Sequence, residues 1–227
     1  ALLSVMGINA QQLSRTEKKI AESVSRNAPE AIAFLEEVVN INSGTLNLEG
    51  VREVGEVFGT AFEEIGFQTR WIPMPDEMNR AGHLFAEIEG NRGKRLLLIG
   101  HLDTVFEQDS PFQEFERVND TLAHAPGGND MKGGDVIVLF ALKALQEQGL
   151  LDDVQIIVAF TGDEESTGKP LEVSRQDLIE AAKRSDIALG FETATGYDKA
   201  TVARRGASGW EVTATGQRAH SSGVFNE

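Results

Sequence analysis

The chain has 227 residues, 41% hydrophobic and 25% charged, the proportions of an ordinary globular protein and enough for one sizeable domain, or one domain plus part of another. A formal net charge of −15 argues against a nucleic-acid partner, because phosphate binding needs clustered Lys and Arg. The absence of cysteine removes disulfides, thiolate ligands and cysteine nucleophiles together.

In chain order, residues 1–10 are nearly all apolar or small, and the chain turns polar at Gln11-Gln12. This reads either as a signal-peptide remnant with an alanine at the cleavage point, which implies a periplasmic or secreted protein rather than a cytoplasmic one, or as a frayed helix start. The run is far too short to span a bilayer, so no membrane insertion is expected. Residues 11–26 read as a polar helix. Pro29 at a first-turn position then opens a second helix to about Asn40, with Ile32, Leu35, Val38 and Val39 on one face. Val51, Val54, Phe58, Ala61, Phe62 and Ile65 recur at helical spacing, and Gly66 is placed to cap that helix. Residues 68–74 and 83–89 look like strands, and Asn91-Arg92-Gly93 is a turn leading into the strand 96–99. Val136, Ile137, Leu139, Phe140, Ala144 and Leu145 mark a largely buried helix stopped by Gly149. A strand from Val154, a helix near 176–184 and a strand from Ile187 follow.

Helices alternating with strands predict an α/β fold, a mainly parallel (mixed) sheet covered by helices on both faces. From Gly206 the rhythm changes. Trp210, Val212 and Ala214 alternate with polar residues, the pattern of a half-buried strand and the entry to a second domain.

Three apolar strands each end in metal-seeking side chains. The Leu96 run leads into His101-Leu102-Asp103, the Val154 run into Asp163-Glu164-Glu165, and the Ile187 run into Glu192. In open α/β sheets such strand ends converge on one ligand-binding crevice, and imidazole with carboxylates suits zinc or a similar divalent ion. A lone His-x-Asp is weak evidence; Asp103, two positions on in extended chain, is expected to hydrogen-bond His101 and fix its tautomer. Asp130 is equally a favoured helix N-cap, but capping does not explain the glycines around it in Gly127-Gly128-Asn129-Asp130-Met131-Lys132-Gly133-Gly134. Asp163, Glu164 and Glu165 repel one another, and a divalent cation is the expected counter-charge. One adjacent glutamate can ligate metal while its neighbour serves as general base on water whose pKa the metal has lowered. Asp130 is placed to bridge two ions.

The residues Gly100-His101-Leu102-Asp103-Thr104-Val105, the glycine-rich stretch around Asp130, Asp163-Glu164-Glu165, Phe191-Glu192 and Gly216-Gln217-Arg218-Ala219-His220-Ser221 occur in an order that resembles the di-zinc aminoacylase and carboxypeptidase family. This family includes glutamate carboxypeptidases, acetylornithine deacetylase and succinyl-diaminopimelate desuccinylase. The resemblance runs from about Ala28 to the last residue. It implies that His101, Asp130 and Glu192 hold one Zn2+, with Asp130 bridging to a second Zn2+ held partly by Glu165. It implies Glu164 as the base, Asp103 as the residue orienting His101, and His220 as the group that steadies the oxyanion across a homodimer interface. Residues 11–205 then form a zinc-exopeptidase-like catalytic domain and 206–227 the start of a smaller α+β lid and dimerisation domain. The family's second zinc takes a further histidine from a later segment, so the 227 residues are expected to be a fragment of a longer chain. Of the other histidines, His83 is expected to be structural, while His124 stands where relatives often carry an aromatic residue. Co2+ or Mn2+ could replace Zn2+ on chemical grounds.

The expected function is a zinc-dependent hydrolase of exopeptidase, carboxypeptidase or aminoacylase type, acting on a small peptide or N-acyl amino acid near a free carboxylate. The alternatives are a catalytically idle metal-binding scaffold module and a two-metal phosphoesterase. Lys132 lacks the Walker-type spacing of a phosphate ligand, and Ser43 and Ser208 lack the setting of a nucleophile elbow.

Overall fold

The computed structural model describes residues 12–194, 196, 199–203, 205–206, 208–213 and 215–216. The signal-peptide reading of residues 1–10 and the oxyanion role of His220 therefore lie outside the described residues. Helix α1 (Arg15–Asn40) opens on a capping box in which the Glu17 amide donates to the Ser14 hydroxyl and the Ser14 amide to the Glu17 carboxylate. The two helices expected here are one, with Pro29 inside it. Pro29 lacks the N–H that would reach the Ser25 carbonyl, but both residues are on the exposed face, where water takes over that acceptor. Helix α2 (Leu48–Glu64) is capped by Asn47, whose side chain accepts from the Gly50 amide, and Gly66 follows it at φ 93°.

Strands β1 (Gln68–Ile72), β2 (His83–Ile88), β3 (Arg92–His101), β6 (Val154–Thr161) and β7 (Ile187–Gly190) form one sheet in the order β1-β2-β6-β3-β7. The pairs β1-β2 and β2-β6 are antiparallel, whereas β6-β3 and β3-β7 are parallel. The sheet is thus evenly mixed rather than mainly parallel. A short connection through Pro73-Met74-Pro75 and the turn at Asn79 returns β2 alongside β1, without a crossover helix. Strand β3 begins earlier than expected, because Gly93 at φ 78° sits in an irregular stretch of the ladder instead of ending a turn.

Side chains alternate across the sheet, so successive residues of β6 enter different cores. Ile156, Val158 and Phe160 join Val51, Val54, Phe58 and Phe62 of α2 and Val136, Leu139 and Phe140 of α3 (Gly133–Glu147). Ile157 and Ala159 join Phe85, Leu97 and Ala181, the last from α5 (Gln176–Lys183), which follows the short helix α4 (Leu171–Ser174). Helices therefore cover both faces. Phe58 makes edge-to-face contacts with Phe34 and Phe160 at centroid distances of 5.2 and 5.4 Å. Ile137, expected in the core, is 61% exposed, because it lies on the outer stripe of α3 with Ala141. A hairpin of β4 (Glu116–Asn119) and β5 (Leu122–His124) was not predicted. Its Val118 and Leu122 are exposed and give no core periodicity; the Asn119 side chain, which accepts from the Thr121 amide and hydroxyl, was the available turn signal.

The chain divides into two compact units, Ala1–Thr193 and Ala194–Glu227. In the second, the described residues around Trp210 and Val212 form no strand. An alternating pattern becomes a strand only where another strand pairs its backbone groups, and none of the described residues does so. No helix among the described residues is long and apolar enough to cross a membrane.

Candidate metal centre

Strands β6, β3 and β7 run parallel, with His101 opposite Thr161 and Ile99 opposite Gly190, so their carboxyl ends share one edge of the sheet. His101 ends β3 with its imidazole almost wholly buried. Its Nδ1 lies 2.9 Å from the backbone carbonyl of Asp103, and its Nε2 lies 3.2 Å from Oδ1 of Asp130 and 3.6 Å from Oε1 of Glu192. In the neutral ring, Nδ1–H donates to that carbonyl and leaves the Nε2 lone pair facing the carboxylates. The expected tautomer control is present, but it comes from the main chain of Asp103. The chain bends after His101, so residues two apart no longer point the same way, and the Asp103 carboxylate stands 3.6 Å from Nδ1.

That carboxylate holds the neighbouring acid loop instead. It accepts from the Thr45 hydroxyl at 2.7 Å, the Glu164 amide at 2.9 Å and the Glu165 amide at 3.1 Å. Thr45 is brought there by a bridge between Gly44 and Thr104, and by the Ser43 hydroxyl donating to the Leu102 carbonyl.

Asp130 is not a helix cap. Helix α3 starts at Gly133 without a side-chain cap, and the Asp130 carboxylate faces His101 from a non-helical backbone. The glycines around it permit close approach: a Cβ at Gly127 would strike the Thr104 side chain, and one at Gly134 the carbonyl oxygen of Phe191. Gly134 thereby admits the end of β7 that carries Glu192, and the Asn129 side chain ties the turn to the Thr193 hydroxyl at 3.1 Å. Lys132 is buried and donates to the carbonyls of Val38 and Ile41 at 2.7 and 3.0 Å, so it clamps the turn to the end of α1 and faces no ligand. Burial lowers its ammonium to about 7, against the opposing charge of Asp135.

Asp163 departs from the expected trio of carboxylates around a cation. It is fully buried, forms an ion pair with Arg175, and accepts from the Gly168 amide at 2.8 Å and the Ser174 hydroxyl at 2.7 Å. Burial works to raise its carboxyl, but these donors hold it below the ordinary range. Its counter-charge is a guanidinium. Of the trio, Glu165 feels the charges of Asp130 and His101, and Glu164 acts on Glu192, although neither glutamate belongs to the close group of His101, Asp130 and Glu192. Burial, reinforced by the charge of Asp130, raises the Glu165 carboxyl; burial, reinforced by Asp130 and Glu164, raises that of Glu192.

Asp135 was missed. It is buried on α3 with neither carboxylate oxygen hydrogen-bonded, and burial pushes it well above the usual carboxylate range. Gly100 makes room for it, since a Cβ there would collide with Oδ1 of Asp135. The sequence signal was an aspartate just ahead of the apolar run Val136 to Leu142 in the first turn of the helix. Burial pulls the His101 imidazole down, yet the charges of Asp103 and Asp135 push it up to about 10. The pocket thus calls for positive charge, and a divalent ion fits it: the donor atoms of His101, Asp130 and Glu192 all lie within 4.8 Å of one another, and an N/O set of this kind suits zinc.

Among the described residues, His83 and His124 stand apart. The His83 Nε2–H donates to the Ser174 carbonyl at 2.8 Å, and its Nδ1 accepts from the Gly162 amide at 3.1 Å, a structural role as expected. His124 is exposed on β5, 3.6 Å from Glu116.

A mixed sheet flanked by helices, with its parallel strands ending at a His/Asp/Glu cluster, places the molecule in the fold class of metallopeptidase catalytic domains. Human carnosine dipeptidase 1 superposes with a TM-score of 0.63 at 18% identity, over 76% of this chain and 40% of that one. The M20 family metallo-carboxypeptidase Sso-CP2 from Sulfolobus solfataricus superposes with a TM-score of 0.57 at 23% identity, over 71% and 37%. At these identities the likeness is one of fold. In sequence, the model described as Peptidase family M20/M25/M40 matches residues 97–206. Carboxypeptidase G2 of Pseudomonas sp. (strain RS-16) is 32% identical over 209 residues, covering 91% of this chain and 49% of that protein. A probable succinyl-diaminopimelate desuccinylase of Staphylococcus aureus is 34% identical over 148 residues, covering 62% and 34%. The chain carries a Peptidase M20 family domain, homologous to these two proteins. It spans about half or less of their length.

Proposed function

We propose that the chain is the metal-holding part of a zinc-dependent hydrolase that cleaves an amide or peptide bond next to a free carboxylate, of exopeptidase, carboxypeptidase or aminoacylase type. The observation that carries this reading is the meeting of His101, Asp130 and Glu192 beside a loop that presents two further glutamates. The names of the relatives, a carboxypeptidase and a probable desuccinylase, agree with it. His101, Asp130 and Glu192 would hold one ion, and Asp130 with Glu165 part of the coordination of a second. A bound zinc would supply Lewis-acid polarisation of the scissile carbonyl and a lowered pKa for water.

The chain's own groups supply the rest. The Glu164 carboxylate takes the proton of the attacking water and returns it to the departing amine nitrogen. Asp103 holds the amides of Glu164 and Glu165 and, through its carbonyl, keeps the His101 Nδ1 protonated. His220 would steady the oxyanion from a partner subunit in a homodimer, with 206–227 beginning the lid. The substrate class is a small peptide or N-acyl amino acid. A periplasmic or secreted location is proposed from residues 1–10, and a mature N-terminus near Gln11 on N-terminal sequencing would support it.

Glu164→Gln is expected to lower turnover by roughly 10²–10⁴-fold with metal content unchanged. Turnover within a few-fold of wild type would overturn the assigned role. Elemental analysis giving about two zinc ions per chain supports the paired site, and about one supports only the His101, Asp130 and Glu192 set. Bound zinc without hydrolysis of any dipeptide or N-acyl amino acid would favour the scaffold reading instead.

A further inference from the structure

Residues 162–168, which carry Glu164 and Glu165, are gripped from two sides. The Asp103 carboxylate takes the two glutamate amides on the side of β3. On the other side stands Arg175, at the junction of α4 and α5. Its guanidinium pairs with Oδ1 of Asp163 and also donates to the Asp163 carbonyl at 3.2 Å and the Thr167 hydroxyl at 3.2 Å. One planar group therefore touches residues on both flanks of the glutamate pair. The same junction is tied back a second time. The Ser174 hydroxyl donates to Asp163, and the Ser174 carbonyl accepts from His83, whose other nitrogen accepts from the Gly162 amide. Hydrogen bonds from Gly162 to His83, His83 to Ser174 and Ser174 to Asp163 close a ring through the Gly162–Asp163 peptide bond, and Arg175 donates to both Ser174 and Asp163. Asp163 has no solvent exposure and the Arg175 side chain is 18% exposed, so water does not compete for this pair.

We infer that Arg175 is a positioning residue for the site: through Asp163 and Thr167 it sets how Glu164 and Glu165 face the cluster of His101, Asp130 and Glu192. Nothing in this arrangement needs Arg175 to touch substrate or metal. A buried pair of this kind need not add net stability over well-packed apolar residues, which leaves geometry as what the guanidinium contributes. Lysine could keep the charge but not the planar fork that spans two residues. The inference rests on the reading of this cluster as a hydrolytic metal centre.

Arg175→Lys tests it, read by cobalt(II) titration with visible absorption and by kcat and KM on a panel of dipeptides and N-acyl amino acids. Support of this kind for ligating or reacting groups is typically worth about 10–100-fold, so kcat is expected to fall by that factor, with KM changed by less than about threefold and an altered cobalt spectrum. Phe34→Leu, in the core between α1 and α2, controls for general destabilisation: it should lower the melting temperature while leaving kcat and the cobalt spectrum in place. Should Arg175→Lys fail to fold, Thr167→Val removes one end of the clamp without stranding a charge, and a smaller fall of kcat in the same direction is expected. An Arg175→Lys kcat within about twofold of wild type overturns the inference, as does a loss that Phe34→Leu reproduces at a matched melting temperature. A Thr167→Val enzyme with unchanged kcat does so too where it is the variant that folds. If wild type binds no cobalt at all, the metal-centre reading falls first, a result separate from the others.

Discussion

The glycine-rich turn and the acid loop both present carboxylates to the same space, but they are held by opposite means. The turn of Asp130 is placed by missing side chains: Gly127 and Gly134 let backbone approach Thr104 and Phe191, and a single buried amine, Lys132, pins the turn to α1. The acid loop is placed by charged side chains, Asp103 on one flank and Arg175 on the other. The turn should therefore fail when something is added, and the loop when something is removed.

The largest effect is expected at Asp103→Ala. This change removes the acceptor of three hydrogen bonds, all to a carboxylate with no solvent exposure, and leaves the amides of Glu164 and Glu165 without their partner. Breaking a buried charged network of this kind costs about 3–5 kcal/mol, to be read from urea unfolding of the metal-free protein. A loss below about 1 kcal/mol would mean that water replaces the carboxylate and that Arg175 holds the loop unaided. Gly134→Ala comes next, at about 1–3 kcal/mol, because the added methyl meets the main-chain oxygen of Phe191 and must push the end of β7 aside. Zinc affinity should fall with it, since Glu192 is the next residue. Unchanged zinc affinity on calorimetric titration would show that β7 yields without moving its glutamate.

Much of this was legible in the chain because strands announce their ends. The apolar runs closing at His101 and Glu192 brought those two side chains together at one sheet edge, and the glycines marked where backbone packs closely. What could not be read was which partner each acid would find. Asp163 looks like its neighbours in sequence, yet its counter-charge is Arg175, 12 positions away along the chain. Asp135 looks like an ordinary first-turn acid, and only the packing of α3 against β3 buries it beneath Gly100. The continuity of α1 through Pro29 escaped for a similar reason, since the exposed side of a helix tolerates a missing hydrogen bond that its buried side would not. Sequence patterns report backbone period and side-chain type, whereas charge pairing is a property of the folded neighbourhood.

The shared space couples turn and loop through protons. His101 binds its proton more tightly when folded, up to about 10 against roughly 6.5 unfolded, and the Glu165 and Glu192 carboxyls are raised as well. Each such group contributes stability that is fully present below its unfolded pKa and is lost as pH rises through the folded one. Lys132, lowered to about 7, runs the other way over the same range, so it is the metal-free Lys132→Met protein, rid of that opposing titration, that should melt at lower temperature near pH 9 than near pH 6. Saturating zinc should oppose that decline, because ligands bind metal only after losing their protons. A melting temperature of that metal-free variant that is flat or rising over this range would show that the carboxylates do not need a cation between them.

The smallest effect separates anchoring from mere contact. Arg80, in the connection between β1 and β2, donates to the carbonyl and hydroxyl of Ser166 at 2.6 and 2.9 Å, just beyond Glu165. It resembles Arg175 in reaching the same loop, but its bonds are to neutral oxygens at an exposed site, where net contributions are about 0.5–1.5 kcal/mol. It also grips only one side of the glutamate pair. Arg80→Ala should therefore cost about 0.5–1.5 kcal/mol in unfolding and lower kcat by a few-fold at most, well short of Arg175→Lys. If the two variants proved equal in kcat, the loop would be held by the sum of its contacts rather than by the buried pair, and the contrast between its two arginines would disappear.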